Sequence, residues 1–391
     1  MNPEFTLPTK GFVFWPVATG DSSTIVVKDS EVVLQIDLHH MDKSEEDEET
    51  AWPIVEELVR LLPEKDGKPY LSVFVLTHPD EDHIRGFGKL LDEVQIGEIW
   101  HTPRTFSEYK KDLCEDAKTF KKEAERRTNA AIKNQENTAA GDRIRIIGFD
   151  DILKEDEYKN FPKSRLSIPG QSITSVDTVN VADYFEAFVH APFKDDSEGS
   201  RNNTSVSLHV TLKEKDATGQ ALFFGDREYP TVKQIFEITV EHKREQYLKW
   251  DVLLCPHHCS KKVMYWQEEE EKEESFKKDI MTHFEKYMMP EAYLIASARA
   301  EFTDGEGDNP PHAKARKQYE KIVEAGHFIC THEWPNETAP EPVKFELTDS
   351  GLSLAEVNKS TVKPGSRLGA AVAAARGGES PPQQQVGFGR K

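Results

Sequence analysis

Apolar and polar positions follow two periods along this chain. Residues 11–17, 23–27 and 32–37 are short runs rich in Val, Ile and Phe, split by Gly, Asp and Ser, which predicts a meander of strands. After Ala51, the residues Ile54, Val55, Leu58, Val59, Leu61 and Leu62 recur at helical spacing. Residues 71–76 then form a strand whose end, Val73-Phe74-Val75-Leu76, has no polar alternation and reads as buried on both faces. Ile84, Phe87, Leu90 and Leu91 restart the helical period just beyond it. Strand patterns return at 143–149, 172–176, 184–190, 205–212 and 221–224. From there strands at 250–255, 293–296 and 327–331 alternate with helical stretches at 231–248, 267–287 and 312–324. This order predicts an α/β protein, two sheets flanked by helices in an αββα sandwich.

Two stretches interrupt the pattern. Residues 105–140 turn strongly polar, with Lys110-Lys111, Lys121-Lys122 and Arg126-Arg127 set among acids, and read as a helical insertion. It is a candidate substrate-selecting cap and a surface for a protein partner, with a plain solvated helix as the alternative. Beyond residue 358 the composition shifts to Ala, Gly, Pro and Gln, with Lys359, Lys363, Arg367, Arg376, Arg390 and Lys391 against Glu379. Residues 1–358 are therefore expected to form the folded domain, and 359–391 a basic, disordered tail able to dock a partner. The acidic run at 45–49 reads as a solvated loop.

Charge narrows the function classes. The chain carries 70 acidic against 50 basic side chains, a net charge of −20, which opposes indiscriminate binding to nucleic acid or anionic membranes. Any polyanionic substrate must be met by a local patch. The start of the chain has neither a basic nor an apolar leader segment, and no apolar run approaches the ~18 residues of a membrane span, so a soluble cytoplasmic protein is expected. Four cysteines fit a reducing compartment. Cys255 and Cys259 flank His257-His258, but they end and follow a hydrophobic run and read as buried thiols before zinc ligands.

The densest chemistry is the turn after the buried strand, His78-Pro79-Asp80-Glu81-Asp82-His83. Imidazoles and carboxylates crowded at a strand end repel one another or lose hydration unless a divalent cation compensates. The bland alternative is a solvated acidic turn. The spacing His78-x-Asp80-x-Asp82-His83 resembles the HxHxDH signature of the metallo-β-lactamase fold with its second His replaced. Together with its Leu-Thr-His-Pro-Asp context it resembles the metallo-β-lactamase domain of the competence DNA-uptake protein ComEC. Further fragments resemble that family in the same order: Gly20-Asp21-Ser22 its GQGDS, Val33 to Asp37 its "vllDtG" strand, Asn202 to Val206 its "NNSLV", Leu222 to Asp226 its "LLTGD", and Asp251 to Ser260 its "DVLKVPHHGS". The likeness spans roughly residues 10 to 335.

The resemblance implies a metallo-β-lactamase fold and a dinuclear site. It assigns His78, Asp80 and His190 to one metal, Asp82, His83 and His257 to the other, and Asp226 as the bridge. His257 against His258 is an open choice, with the second of the pair orienting a ligand or the substrate. Asp82 and Asp226 take catalytic roles. His312, before the helical stretch at 312–324 in a segment similar to the family's "N-x-y-g-HP", is expected at a helix N-cap facing the site as leaving-group acid. His39, His40, His101, His209, His242 and His283 lie outside these motifs and read as surface or core-edge residues.

Carboxylate in place of imidazole at Asp80 hardens the site and favours manganese beside zinc as the two divalent ions. Two such ions suit phosphodiester cleavage, and the resemblance implies DNA or another phosphodiester as substrate, with Arg227, Lys261 and Lys262 placed to neutralise phosphate. The expectation is a metal-dependent phosphodiesterase or nuclease. The alternatives are a hydrolase of a small molecule such as a cyclic nucleotide, lactone or thioester, or a non-catalytic, metal-stabilised binding subunit.

Overall fold

The computed structural model describes residues 5–41, 52–107, 113–194, 196, 202–305 and 307–356. The acidic run at 45–49 and the basic tail at 359–391 lie outside the described residues. Residues 7–355 make one compact unit, to which Phe5, Thr6 and Glu356 do not belong. Among the described residues no helix is long and apolar enough to cross a membrane.

Two mixed sheets face each other. The first runs, in spatial order, Gly351–Leu354, Val343–Thr348, Gly11–Phe14, Ser23–Lys28, Val32–Ile36, Lys68–Val75, Gln95–His101, Arg143–Ile147 and Leu166–Ser167, with Glu64–Lys65 hairpinned onto Lys68–Val75. The second runs Phe328–Cys330, Met288–Ala296, Trp250–Leu254, Ala217–Phe223, Ser207–Glu214, Phe185–Ala191 and Ser172–Ile173. The nine helices among the described residues are α1 Ile54–Leu61, α2 Glu81–Ile84, α3 Phe87–Glu93, α4 Arg104–Ser107, α5 Glu115–Asn134, α6 Tyr229–Glu241, α7 Pro256–Cys259, α8 Lys278–Tyr287 and α9 Ala313–Tyr319.

Side-chain alternation fills three layers. Ile25, Val27, Leu34, Val73 and Val75 of the first sheet meet Phe185, Ala187, Leu208, Val210 and Val252 of the second in one buried core. The opposite face of the second sheet, with Leu222, Leu253 and Leu294, packs under Ile235 and Phe236 of α6, Phe284 of α8 and Tyr319 of α9. On the far side of the first sheet the rings of Phe74, Phe87 of α3 and Phe120 of α5 are in mutual contact, with centroids 5.0–6.1 Å apart. Such rings contribute beyond their buried area. The expected αββα sandwich is what the chain builds.

The insertion differs from the expectation of a cap. α5 buries Ala117, Phe120, Ala124, Thr128 and Ala131 in the outer helical layer of the first sheet. Its polar composition hides this because Arg127 is itself buried, donating to the carbonyls of Ile96, Gly97 and Arg143 and pairing with Glu123. Helix α8 is shorter than its pattern. The acidic stretch before α8 makes a Tyr265–Trp266/Ser275–Phe276 hairpin, and α8 starts only at Lys278. A run of like charges gains nothing from helical spacing when no apolar stripe accompanies it.

Candidate metal centre

Parallel pairing brings the carboxyl ends of Val32–Ile36 and Lys68–Val75 in one sheet, and of Ala217–Phe223 and Trp250–Leu254 in the other, to the same end of the sandwich. Each strand end delivers a polar residue there: Asp37, then Thr77-His78, then Asp226, then His257-His258. Gly225 turns the chain at φ +61°, and Gly20 lets the Asp21 loop lie against the ligand turn. A side chain at Gly20 would strike the His39 ring at 2.2 Å and the Asp82 carbonyl at 2.7 Å. Asp21 N–H instead donates to that carbonyl at 3.0 Å.

Asp226 lies at the centre, and its two oxygens face different groups. Its Oδ2 stands 3.7 Å from His78 Nε2 and 3.7 Å from His257 Nε2, and His78 Nε2 stands 3.7 Å from Asp80 Oδ2. Its Oδ1 stands 3.2 Å from His83 Nε2 and 3.4 Å from His258 Nε2, which lies 3.2 Å from Asp82 Oδ2. The Nε2 atoms of all four rings thus point inward. His78, Asp80, His257 and Asp226 form one set; His83, Asp82, His258 and Asp226 form the other. Asp21, His83, Asp226 and His258 each bring a ligand atom within 4.8 Å of the other three.

The outward nitrogens of His83 and His78 are hydrogen-bonded, and those of His258 and His257 face carboxylates without a formed hydrogen bond. His83 Nδ1 lies 2.7 Å from Asp37 Oδ2, and Asp37 also accepts from Thr77 N–H and Oγ1–H at 2.8 and 2.6 Å. His78 Nδ1 meets Thr77 Oγ1 at 3.1 Å. His258 Nδ1 faces Asp21 Oδ1 at 3.3 Å, and His257 Nδ1 faces Glu228 Oε1 at 3.9 Å. Carboxylates behind ligand imidazoles fix the tautomer that leaves Nε2 free for a metal and raise its basicity. Asp21, Asp37 and Glu228 were not read as site residues from sequence. Asp21 and Asp37 did lie in the matched motifs.

The electrostatics suit cations. Burial favours a neutral Asp226 carboxyl, but the rings of His258, His83 and His257 outweigh it and hold the group well below the usual carboxylate range. Burial likewise opposes charge on His83 and His258, yet the facing carboxylates, Asp226 foremost, hold both rings well above their ordinary value. His78 and His257 are pushed down, chiefly by burial. Buried atoms at the centre without hydrogen-bond partners, His78 Nε2 and Asp226 Oδ1, are the signature of a site built for something further. The donor set of imidazole nitrogen and carboxylate oxygen fits two divalent ions.

Four sequence-based assignments change. His190 is not brought to the centre. Alternation along Phe185–Ala191 turns Phe188 and His190 away from the inter-sheet core, where His190 Nε2 lies 2.9 Å from Tyr247 O and Nδ1 3.3 Å from Thr239 Oγ1. His257 occupies the place assigned to His190, beside His78 and Asp80, and His258 the place assigned to His257, beside Asp82 and His83. Arg227 is fully buried against Asp196 at 2.9 Å and the Ser205 carbonyl, so it organises the loop behind the site and cannot reach phosphate. His312 does sit at the N-cap of α9, but its Nδ1 accepts from Lys261 N–H at 3.2 Å and its Nε2 meets Asp308 O at 3.2 Å. It ties the α7 turn to the 303–312 loop and has no nitrogen left for a leaving group. Lys261 and Lys262 pair with Glu274 and Glu228 at 3.5 and 3.1 Å.

The centre opens into a cavity of about 590 Å³ whose mouth carries Thr19, Asn202, Arg299, Glu301 and Thr303. Arg299 is the one Arg or Lys side chain among the described lining residues, and sequence offered no motif that marks it.

No protein-family model matches this chain, and no curated protein matches it. Among solved structures it is similar to a diphosphatase from the PhnP family, with TM-score 0.31 and 10% identity over 86% of this chain and 87% of that one. BJP-1, a subclass B3 metallo-β-lactamase of Bradyrhizobium japonicum, is similar at TM-score 0.29 and 15% identity over 65% of this chain and 76% of that one. LRA-12, a di-zinc class B3 enzyme from an Alaskan soil metagenome, is similar at 0.30 and 11% over 73% and 92%. The functional reading rests on this chain's own side chains: an αββα sandwich with a two-set His/Asp centre at the carboxyl ends of its strands, the arrangement that the metallo-β-lactamase resemblance implies.

Proposed function

We propose that the chain is a dinuclear metal-dependent phosphodiesterase acting on small phosphodiesters. The observation that carries this reading is Asp226, whose two oxygens each face a separate His/Asp set. His78, Asp80 and His257 on one side of Asp226, and His83, Asp82 and His258 on the other, would hold two divalent ions, which would supply hydroxide at neutral pH and offset charge on the oxygens of an in-line displacement. The chain's own contribution is orientation. Asp37 and Thr77 hold the His83 and His78 rings, Asp21 and Glu228 face the His258 and His257 rings, and burial excludes competing water from His78, His83 and His258. Asp80 and Asp82, with side chains 28% and 35% exposed, border the cavity where substrate enters. Arg299 at the mouth is placed to receive a phosphate oxygen.

Small substrates are favoured over DNA by charge. The net charge is −20, and the cations expected to meet a nucleic-acid backbone are engaged: Arg227 by Asp196, Lys261 by Glu274 and Lys262 by Glu228. Extended DNA binding needs several free phosphate contacts.

The test is metal analysis followed by hydrolysis of bis(p-nitrophenyl) phosphate, cyclic nucleotides, and single- and double-stranded DNA, with manganese or zinc. Two ions per chain, turnover of the small diesters, and loss of both in Asp226→Asn support the reading. A chain that holds two ions and cleaves no diester would overturn it, and faster cleavage of DNA than of small diesters would shift the substrate to nucleic acid.

A further inference from the structure

A second cavity, of about 640 Å³, lies between α4, α5 and the 149–158 segment, and shares no described lining residue with the cavity at the metal centre. Its volume is in the range of small-molecule sites. His101, at the end of Gln95–His101, lines it. The residue is 3% exposed, and neither ring nitrogen has a well-formed hydrogen bond, the Thr102 backbone alone lying near enough to act on the ring. The ring packs edge-on to Phe106 and Phe120 with centroids 6.1 and 5.5 Å away, so the neighbouring side chains satisfy its shape and none of its polarity. Buried polar groups are almost always paired, and an imidazole without a well-formed hydrogen bond beside an open cavity is one whose partner is a ligand or water.

The lining restricts what that ligand is. Phe106, Phe149, Ile152 and Tyr158 offer flat apolar walls. Burial holds the His101 ring neutral, down to about 4, so it presents one N–H donor and one bare acceptor and asks for a partner with both. At the rim the carboxylates of Glu125, Glu155 and Glu157 outnumber the ammonium of Lys121. Arg104, which also lines the cavity, lies over the Phe149 ring and donates to the carbonyls of Phe193 and Asp196. A phosphorylated or carboxylated ligand would therefore meet more repulsion than attraction.

We propose that this cavity binds an uncharged planar heterocycle of nucleoside size, held between the aromatic walls and hydrogen-bonded to His101. The site is independent of the metal centre and of the reaction assigned to it.

The test is titration of the full chain with adenosine, cytidine and AMP, followed by ligand-observed NMR and calorimetry, before and after metal removal by EDTA. The expected result is saturable one-to-one binding of a nucleoside, weaker binding of AMP, and no change on metal removal. His101→Phe keeps the ring shape and removes both nitrogens; it should leave the fold intact and weaken binding by about tenfold or more, the scale of one lost hydrogen bond. Ala124→Trp, which fills the cavity from α5, should abolish binding by a separate route. No saturable binding of either nucleoside at millimolar concentration overturns the proposal. So does unchanged affinity in His101→Phe, AMP binding more tightly than adenosine, or binding lost with the metal.

Discussion

His257 and His258 are adjacent in the chain, yet their Nε2 atoms face opposite oxygens of one carboxylate, 3.7 Å from Asp226 Oδ2 and 3.4 Å from Oδ1. Adjacent side chains diverge this way because both residues take the left-handed conformation, with φ 51° for each, and Cys259 follows at φ 63°. Left-handed backbone costs a non-glycine residue on the order of 1–3 kcal/mol, and it persists where the surroundings over-determine it. Here Pro256 and Cys259 are buried on one side and the centre lies on the other.

The first prediction separates the two rings from His190. His257→Ala and His258→Ala should each lower bound metal from two ions per chain to about one, read by elemental analysis of dialysed protein. His190→Gln should leave metal content unchanged and lower the melting temperature, because it disturbs a partly buried hydrogen bond to Tyr247 O worth about 1–3 kcal/mol when its partner is left unsatisfied. Loss of metal in the His190 variant would return that residue to the centre.

Asp37 never touches the inward-facing atoms, but it holds His83 and Thr77 together. Asp37→Ala should weaken metal affinity by roughly 10–100-fold, the usual effect of removing a carboxylate behind a ligand imidazole. Competition with a fluorescent chelator measures it, and an unchanged affinity would show that Asp37 serves the fold alone.

Asp80 supplies oxygen where an imidazole would be softer. Activity should be higher with manganese than with zinc, and Asp80→His should move the preference toward zinc. Rates with each metal at saturation decide it, and an unmoved ratio would remove Asp80 from the ligand set.

His312 holds Lys261 N–H and Asp308 O through its two nitrogens. His312→Ala should lower turnover equally for diesters with good and poor leaving groups, since the fault lies in the α7 turn. A loss confined to poor leaving groups would restore the acid role that the sequence suggested.

Acid should weaken the fold through His190, which burial pulls down to about 3 from 6.5. Above pH 6.5 the ring is neutral folded or unfolded and contributes no pH dependence. Below it the unfolded chain takes up a proton that the folded chain refuses, so stability falls until the folded ring also titrates. The slope is about 1.4 kcal/mol per pH unit between 6.5 and 3 for this one group. His190→Gln should flatten the pH dependence of unfolding free energy by that amount, as denaturant melts at pH 4, 5 and 6 would show. His101 and His209, each pushed by burial to about 4, contribute in the same direction.

The family resemblance pointed to Asp226, and the strands Gln95–His101, Val343–Thr348 and Gly351–Leu354 were not legible, whereas local periodicity and motif spacing were enough to specify the other main strands, the αββα layering and the crowded turn from His78 to His83. These are properties of consecutive residues: apolar runs must be buried, and polar residues crowded at a strand end need a counter-ion. Three-dimensional packing decided the rest. Whether a strand-end histidine such as His190 looks into the site or away from it depends on alternation through a bulge between Val189 and Ala191, which composition does not report. The division of His257 and His258 between the two ligand sets rests on a left-handed turn that only its surroundings hold in place. Arg227 and Arg127 read as exposed charges because arginine usually is, and their burial became visible only when the carbonyls and carboxylates that satisfy them arrived from distant strands. Local spacing therefore marks the chemistry, whereas the direction in which each side chain faces is settled by contacts between residues far apart in the chain.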